Sequence, residues 1–166
     1  MRQDLEPFST GSLVFDPFLG LCTLRDSKIE SILGREQRFY ELEPKSGRPV
    51  VKIPAGQMAA RGIRPLMSKD EMNLALHHTH PELGLAGEDS SQRMQRWVGL
   101  LKSGIQTGVP SILREIRKMN QSGVKLTPKE VDLQETVRNS LRQEIGSVLS
   151  LTASKAGLRL NQAIEG

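Results

Sequence analysis

The stretch SLVFDPFLGLCTLRDSK, residues 12–28, decides the fold of the first part of the chain. Short runs rich in apolar residues lie on both sides of a turn that contains Pro17 and Gly20, which predicts strands over residues 12–16 and 21–28. Gly34 marks the next turn, and further strands are predicted over residues 37–42 and 50–53, joined by a Pro-Lys-Ser-Gly connection. Short strands at this spacing are typical of a small antiparallel β-barrel.

The part after residue 67 has the pattern of a helical domain. Ser68 and Glu71 form a capping box, and Thr127 followed by Pro128 and Glu130 is a second strong helix start. Apolar spacing predicts helices over residues 68–78, 91–103, 109–119 and 127–149, and a short one after Thr152. The sequence therefore predicts an α+β protein, with a β domain over residues 1–67 and an all-α domain over residues 68–166.

Composition limits the class of protein. The 166 residues carry a net charge of +4, which is too weak to indicate a nucleic-acid binder by itself. Mean hydropathy is −0.37, and the apolar runs are only a few residues long, so no membrane helix is expected. The first ten residues lack the apolar core of a secretory signal, and we expect a cytoplasmic protein. The single cysteine, Cys22, excludes a disulfide framework and is expected to be a small buried hydrophobic residue.

Three histidines, His77, His78 and His80, form the one cluster that suggests a metal site. Histidines at the end of a predicted helix also interact favourably with the helix dipole, and we favour that interpretation. The chain has no phosphate-binding loop, nucleophile elbow or metalloprotease motif. We therefore expect no enzyme, no metal, no cofactor and no small-molecule substrate.

Charge is unevenly distributed along the helical part. Residues 93–118 contain six cations against one acid, Glu115, for a net charge of +5. The cations are Arg93, Arg96, Lys102, Arg114, Arg117 and Lys118. Such a segment can lie along phosphates, but the pattern alone favours a solvated helix face, which six charges over 26 residues easily support. Trp97 has two interpretations as well: a core residue beside Met94 and Leu101, or an exposed ring that stacks on bases.

Several motifs resemble the CarD/CdnL family of transcription regulators. Residues 8–20, FSTGSLVFDPFLG, are similar to its opening pattern F-x-x-G-D-x-V-x-x-P-x-x-G. The motifs FYEL at 39–42, VVKIP at 50–54 and GIRP at 62–65 follow in the family's order. A module of this kind also occurs in the transcription-repair coupling factor. The resemblance extends more weakly through the helices, so it covers nearly the whole chain.

The resemblance implies a Tudor-like β domain that binds the β subunit of RNA polymerase. An edge strand of a small barrel suits this role, because its unpaired backbone groups can accept a partner strand. The expected polymerase-binding residues are Val51, Lys52, Ile53 and Pro54.

The resemblance also implies a helical domain that meets promoter DNA and modulates the stability of the open complex. The expected DNA-binding residues are Arg93, Arg96, Trp97 and Lys102. One departure favours a different interpretation: counting back from Gly104 places Ser90 where family members carry a tryptophan. The chain thus resembles a divergent paralogue, and an adaptor whose helical domain binds another protein is the alternative.

Overall fold

The computed structural model describes residues 8–77 and 87–165. Five strands form one antiparallel sheet in the order β4-β3-β2-β1-β5. The strands are β1 (Leu13–Asp16), β2 (Gly20–Ile32), β3 (Arg35–Pro44), β4 (Val51–Pro54) and β5 (Arg64–Pro65). The predicted β-rich first part is confirmed, although β2 and β3 are longer than predicted.

Within the described residues the sheet is open rather than closed into the predicted barrel. Its edges are β4 and β5, and β5 contributes only two residues that pair with β1. Because no described strand joins β5 to β4, closure into a barrel is not confirmed, and the described sheet is an open antiparallel one. The coarser prediction of a mixed α+β fold is confirmed.

Five α-helices follow in the described part of the chain. They are α1 (Lys69–His77), α2 (Ser90–Lys102), α3 (Gly108–Gln121), α4 (Pro128–Val148) and α5 (Ala153–Glu165). The predicted capping box starts α1: the Glu71 amide donates to Ser68 Oγ at 3.1 Å, and the Ser68 amide donates to Glu71 Oε1 at 3.0 Å. None of these helices is both long and apolar enough to cross a membrane.

Two apolar clusters lie on opposite faces of the sheet. One cluster includes Tyr40, Leu42 and Ile53 and lies within the β part. Cys22 belongs to it, and burial raises the pKa of its thiol to about 12, so the expectation of a buried hydrophobic residue is confirmed. The other cluster joins the helices and also contains Phe15 of β1. The predicted boundary at residue 67 lies between β5 and α1, and the division into two domains stays a prediction.

Helix α4 is bonded directly to the sheet. Glu144 is fully buried and accepts two hydrogen bonds from the Arg64 guanidinium, at 2.7 and 2.8 Å. The neighbouring Gln143 accepts from the Leu21 amide at 3.0 Å. Gly62, with a φ of +81°, lies against the Leu101 carbonyl of α2, where any side chain would clash. These contacts fix the sheet and the helices relative to each other.

The β2–β3 hairpin extends beyond the rest of the sheet. Its pairing continues to Ile32 and Arg35, whereas the last pair between β3 and β4 joins Phe39 and Pro54. Residues 29–38 therefore form a two-stranded projection, which we call the finger. Its turn is formed by Leu33 and Gly34, which both have positive φ.

Candidate functional site

The four predicted polymerase-binding residues form one edge strand, β4. Alternation along the strand directs Val51 and Ile53 towards the core, and Ile53 is only 2% exposed. Lys52 and Pro54 lie on the opposite face, in register with Glu41 and Phe39 of β3. In the described residues no strand pairs with the outer side of β4. The structure thus brings the four residues together at an open sheet edge.

Local sequence explains why β4 is short and lies at the edge. The turn and loop over residues 45–50 precede it, and Pro54 ends it, since proline has no amide hydrogen for a ladder. A 3-10 turn, Ala55–Gln57, then turns the chain away. An edge of this kind leaves backbone donors and acceptors for a partner strand. The backbone of β4 can therefore form hydrogen bonds with a strand of a partner protein that is added to this edge.

Lys52 is the charged group on this edge. Its ammonium forms an ion pair with Glu30 of β2 and lies 4.8 Å from the centre of the Phe39 ring. The side chain remains 45% exposed. Because solvent-exposed ion pairs contribute little energy, Lys52 can exchange Glu30 for a partner's carboxylate at small cost.

Arg93 of α2 lies beside a buried carboxylate. Its Nε donates to Glu130 Oε1 at 2.8 Å, and Glu130 is fully buried at the start of α4. Burial alone would raise the pKa of Glu130, but the hydrogen bonds from Arg93 and from the Thr127 amide outweigh it and hold the pKa below its usual value. Arg93 therefore joins α2 to α4.

Arg96 lies between two carboxylates. Its Nε donates to Glu88 Oε2 and its Nη1 donates to Glu115 Oε2, both at 3.0 Å. These bonds raise the pKa of Arg96 above its ordinary value, and the bond from Arg96 lowers the pKa of Glu88. The guanidinium thus links α3 to the residues just before α2.

Trp97 is a core residue. Its side chain is fully buried, and its indole Nε1 donates to Glu115 Oε2 at 2.9 Å. This burial supports the core interpretation of the sequence, because the ring presents no surface on which a base can stack. Lys102, at the end of α2, is exposed. The four predicted DNA-binding residues therefore do not form one surface. Arg93, Arg96 and Trp97 donate hydrogen bonds to glutamates between the helices, and Lys102 is exposed at the end of α2.

The sequence did not reveal the acceptors of these arginines. Glu130 was interpreted only as a cap, although its carboxylate also binds Arg93, which is 37 residues away. Glu88 lies between two predicted helices, and Glu115 enters the prediction only as the one acid among six cations. No sequence signal connects groups so far apart, because their contacts depend on how α2, α3 and α4 pack.

The histidine cluster lies partly outside the described residues, which include His77 but not His78 or His80. The His77 Nδ1 is 2.7 Å from the Asn73 carbonyl oxygen, one turn earlier in α1. Among the described residues no group of three His, Cys, Asp or Glu is arranged to hold a metal ion.

The chain was compared with known proteins, and no family model and no curated protein matches it. The similarity to the CarD/CdnL family stays an interpretation of the sequence motifs.

Proposed function

We propose that this protein is a bacterial transcription regulator that binds the β subunit of RNA polymerase through β4. The observation that carries the proposal is the open edge formed by Val51–Pro54, where the resemblance places the polymerase contact. The same proposal assigns the sheet to the Tudor-like class of the CarD/CdnL family. The protein has no catalytic role in this proposal.

Strand addition supplies both affinity and specificity at such an edge. Main-chain hydrogen bonds from β4 to a partner strand give affinity, and alternate side chains select the partner. On β4 those side chains are Lys52 and Pro54, since Val51 and Ile53 pack into the core. A partner strand with a carboxylate opposite Lys52 is therefore preferred.

The effect on transcription follows from linkage. A factor that binds the promoter complex more tightly after melting shifts the equilibrium towards the open complex by the ratio of the two affinities. An open edge bound to polymerase would hold the helical part rigidly at the promoter, and the difference between the two affinities would come from what the helical part contacts there. The attachment through Arg64 and Glu144 supplies the rigidity.

The role of the helical part has a second candidate. The arginines Arg93 and Arg96 are paired with internal glutamates, which favours an adaptor whose helices bind another protein over one that binds promoter DNA. Lys102 is the predicted DNA-binding residue whose exposure fits contact with phosphates.

Binding of the full chain to core RNA polymerase tests the proposal. We expect submicromolar binding by the wild type and an affinity at least about tenfold lower for the double variant Lys52→Glu, Pro54→Ala, because the charge reversal places a carboxylate at the edge. Lys45→Glu makes the same charge change at an exposed turn and should bind as the wild type does. Equal binding by the wild type and the double variant would contradict the assignment of β4.

Photo-crosslinking from position 52 identifies the subunit. We expect the adduct on β, and an adduct confined to another subunit would contradict the proposed partner. The lifetime of heparin-resistant open complexes, measured with and without the protein, then tests the regulatory step. An unchanged lifetime would leave an adaptor as the function.

A further inference from the structure

The end of the finger carries exposed aliphatic side chains. Leu33 is 99% exposed, Ile29 is 58% exposed and Ile32 is 43% exposed. Ile29 and Ile32 lie on opposite faces of the hairpin, and Leu33 is at its apex. Ile29 lies at the base of the finger, whereas Ile32 and Leu33 are neighbours at its projecting end. Single exposed apolar residues are common on protein surfaces, so it is the pair at this end that suggests a contact site.

The backbone of Leu33 gives an independent indication. Its φ is +50°, in the left-handed region, and Gly34 follows with a φ of +77°. Two-residue hairpin turns of this type favour Asn-Gly or Asp-Gly, because a leucine side chain crowds the backbone in the left-handed region. The position thus combines an unfavourable conformation with full exposure of an apolar side chain. Local rules are broken in this way mainly at functional positions.

The charges near the finger select the class of partner. Residues 25–41 contain four cations and four acids, so the net charge is zero. Lys28 pairs with Glu41 at 3.4 Å and with Asp26 at 3.6 Å, and Glu30 binds Lys52. Nucleic acid and anionic lipid both require excess positive charge. Residues 29–38 also lack the tryptophan and tyrosine that anchor proteins at membrane surfaces. A protein pocket lined by apolar side chains fits best.

The finger continues directly from the proposed polymerase-binding edge. The last pair between β3 and β4 is Phe39 with Pro54. On β3 the finger begins at the residue just before Phe39, which is Arg38. Arg35, the first residue of β3, is four residues before Phe39, so the finger extends about 14 Å beyond this pair. The ion pair between Lys52 and Glu30 joins the two surfaces. A partner that adds a strand to β4 therefore lies within reach of the apex.

We propose that Leu33, with Ile32 beside it, inserts into an apolar pocket of the same subunit that pairs with β4. The apex is then a second anchor, separate from strand addition. This inference rests on the proposed function, because the subunit that would supply the apolar pocket is the polymerase β subunit proposed to pair with β4.

Substitution of the apex tests the inference on the full chain and core RNA polymerase. Leu33→Asn removes the apolar side chain and places a residue that this turn prefers, so the fold is retained. We expect its affinity for polymerase to be about tenfold or more below that of the wild type, the effect of leaving one leucine unburied. Leu33→Met keeps an apolar side chain and should bind within about threefold of the wild type. Leu74→Gln removes an exposed leucine from α1 and should not alter binding.

The outcomes separate the two proposals. Wild-type binding with equal binding by Leu33→Asn would overturn the apex contact and leave the β4 assignment intact. A loss as large for Leu33→Met as for Leu33→Asn would also overturn it, because the turn rather than the apolar contact would then matter. Absence of wild-type binding would overturn both proposals. Capture by neutral lipid vesicles or self-association, abolished by Leu33→Asn, would assign the apex to a membrane or to a second copy instead.

Discussion

The two regions that the sequence singled out for binding, β4 and α2, are organised in opposite ways. In β4, the outer backbone groups lack a partner strand within the described residues, and Lys52 is 45% exposed. In α2, Arg93 and Arg96 are only 14% and 21% exposed and bind the carboxylates of Glu130, Glu88 and Glu115. One region leaves its binding groups available, and the other uses them to hold helices together.

This difference shows that a count of charges does not measure a binding surface. The net charge of +5 over residues 93–118 includes two arginines whose charge is matched inside the fold. Arg114 also donates to the main-chain carbonyl groups of Leu76 and Ala163. An edge strand is different, because its outer hydrogen-bonding groups cannot be satisfied by the same sheet. The exposure of a group, rather than its presence, decides what it can bind.

Among the variants that test the difference between β4 and α2, Arg96→Gln is expected to have the largest effect, a lower free energy of unfolding. Removal of the guanidinium leaves the partly buried Glu88 and Glu115 without their cation, and the loss of hydrogen bonds to charged groups costs about 2 kcal/mol. We expect the free energy of unfolding to fall by about this amount, as measured by urea denaturation.

Lys102→Gln is the matched control, since it removes one positive charge from the exposed end of the same helix. Its free energy of unfolding should stay within about 0.5 kcal/mol of the wild type. If Arg96→Gln were no more destabilising than this control, Arg96 would be available in solution and the DNA-binding interpretation would regain support.

A lower pH should weaken the ion pairs that Arg93 and Arg96 of α2 form with Glu130 and Glu88. The folded-state pKa values of Glu130 and Glu88 lie below their usual values, so their charged forms stabilise the fold above the unfolded pKa. That contribution is lost as the pH falls through the folded pKa values. Glu130→Gln keeps an acceptor for the Thr127 amide and removes only the charge. We therefore expect this variant to be less stable than the wild type at pH 7, by a difference that shrinks as the pH falls below about 4.3.

The measurement is the free energy of unfolding at several pH values between 7 and 3. Glu135→Gln removes the same charge from an exposed position on α4 and serves as the control. A difference between wild type and Glu130→Gln that stays constant with pH would show that the ion pair with Arg93 does not supply the stability.

The elements that could be predicted from the sequence are those set by local interactions. The starts of α1 and α4 were identified because a side chain caps the backbone three residues away. The predicted start of α2, at residue 91, is one residue late, because the capping box between Asp89 and Gln92 was not predicted. The edge position of β4 was indicated by Pro54, which limits a strand by its own chemistry.

The features that could not be predicted depend on distant contacts or on exposure. The finger was missed because neither of its faces is buried, so residues 29–38 have no apolar alternation that would indicate a strand. The pairing of Arg93 with Glu130 depends on the packing of α2 against α4. The described sheet is open and its edge strand β5 has only two residues, and no pattern in the sequence specified that length.

The smallest effect is expected from Lys102→Gln on the affinity of the protein for promoter DNA. This measurement decides between the two roles of the helical part. Each phosphate contact contributes about 0.9 to the slope of log affinity against log salt concentration. With Arg93 and Arg96 engaged internally, we expect DNA binding and its salt slope to be unchanged, as for the loop control Lys125→Gln. A decrease of about 0.9 in the slope for Lys102→Gln alone would demonstrate a phosphate contact. The protein would then be a regulator that contacts both polymerase and promoter DNA. An unchanged slope, together with polymerase binding through β4, favours the adaptor, because the exposed end of α2 then contributes nothing to DNA affinity.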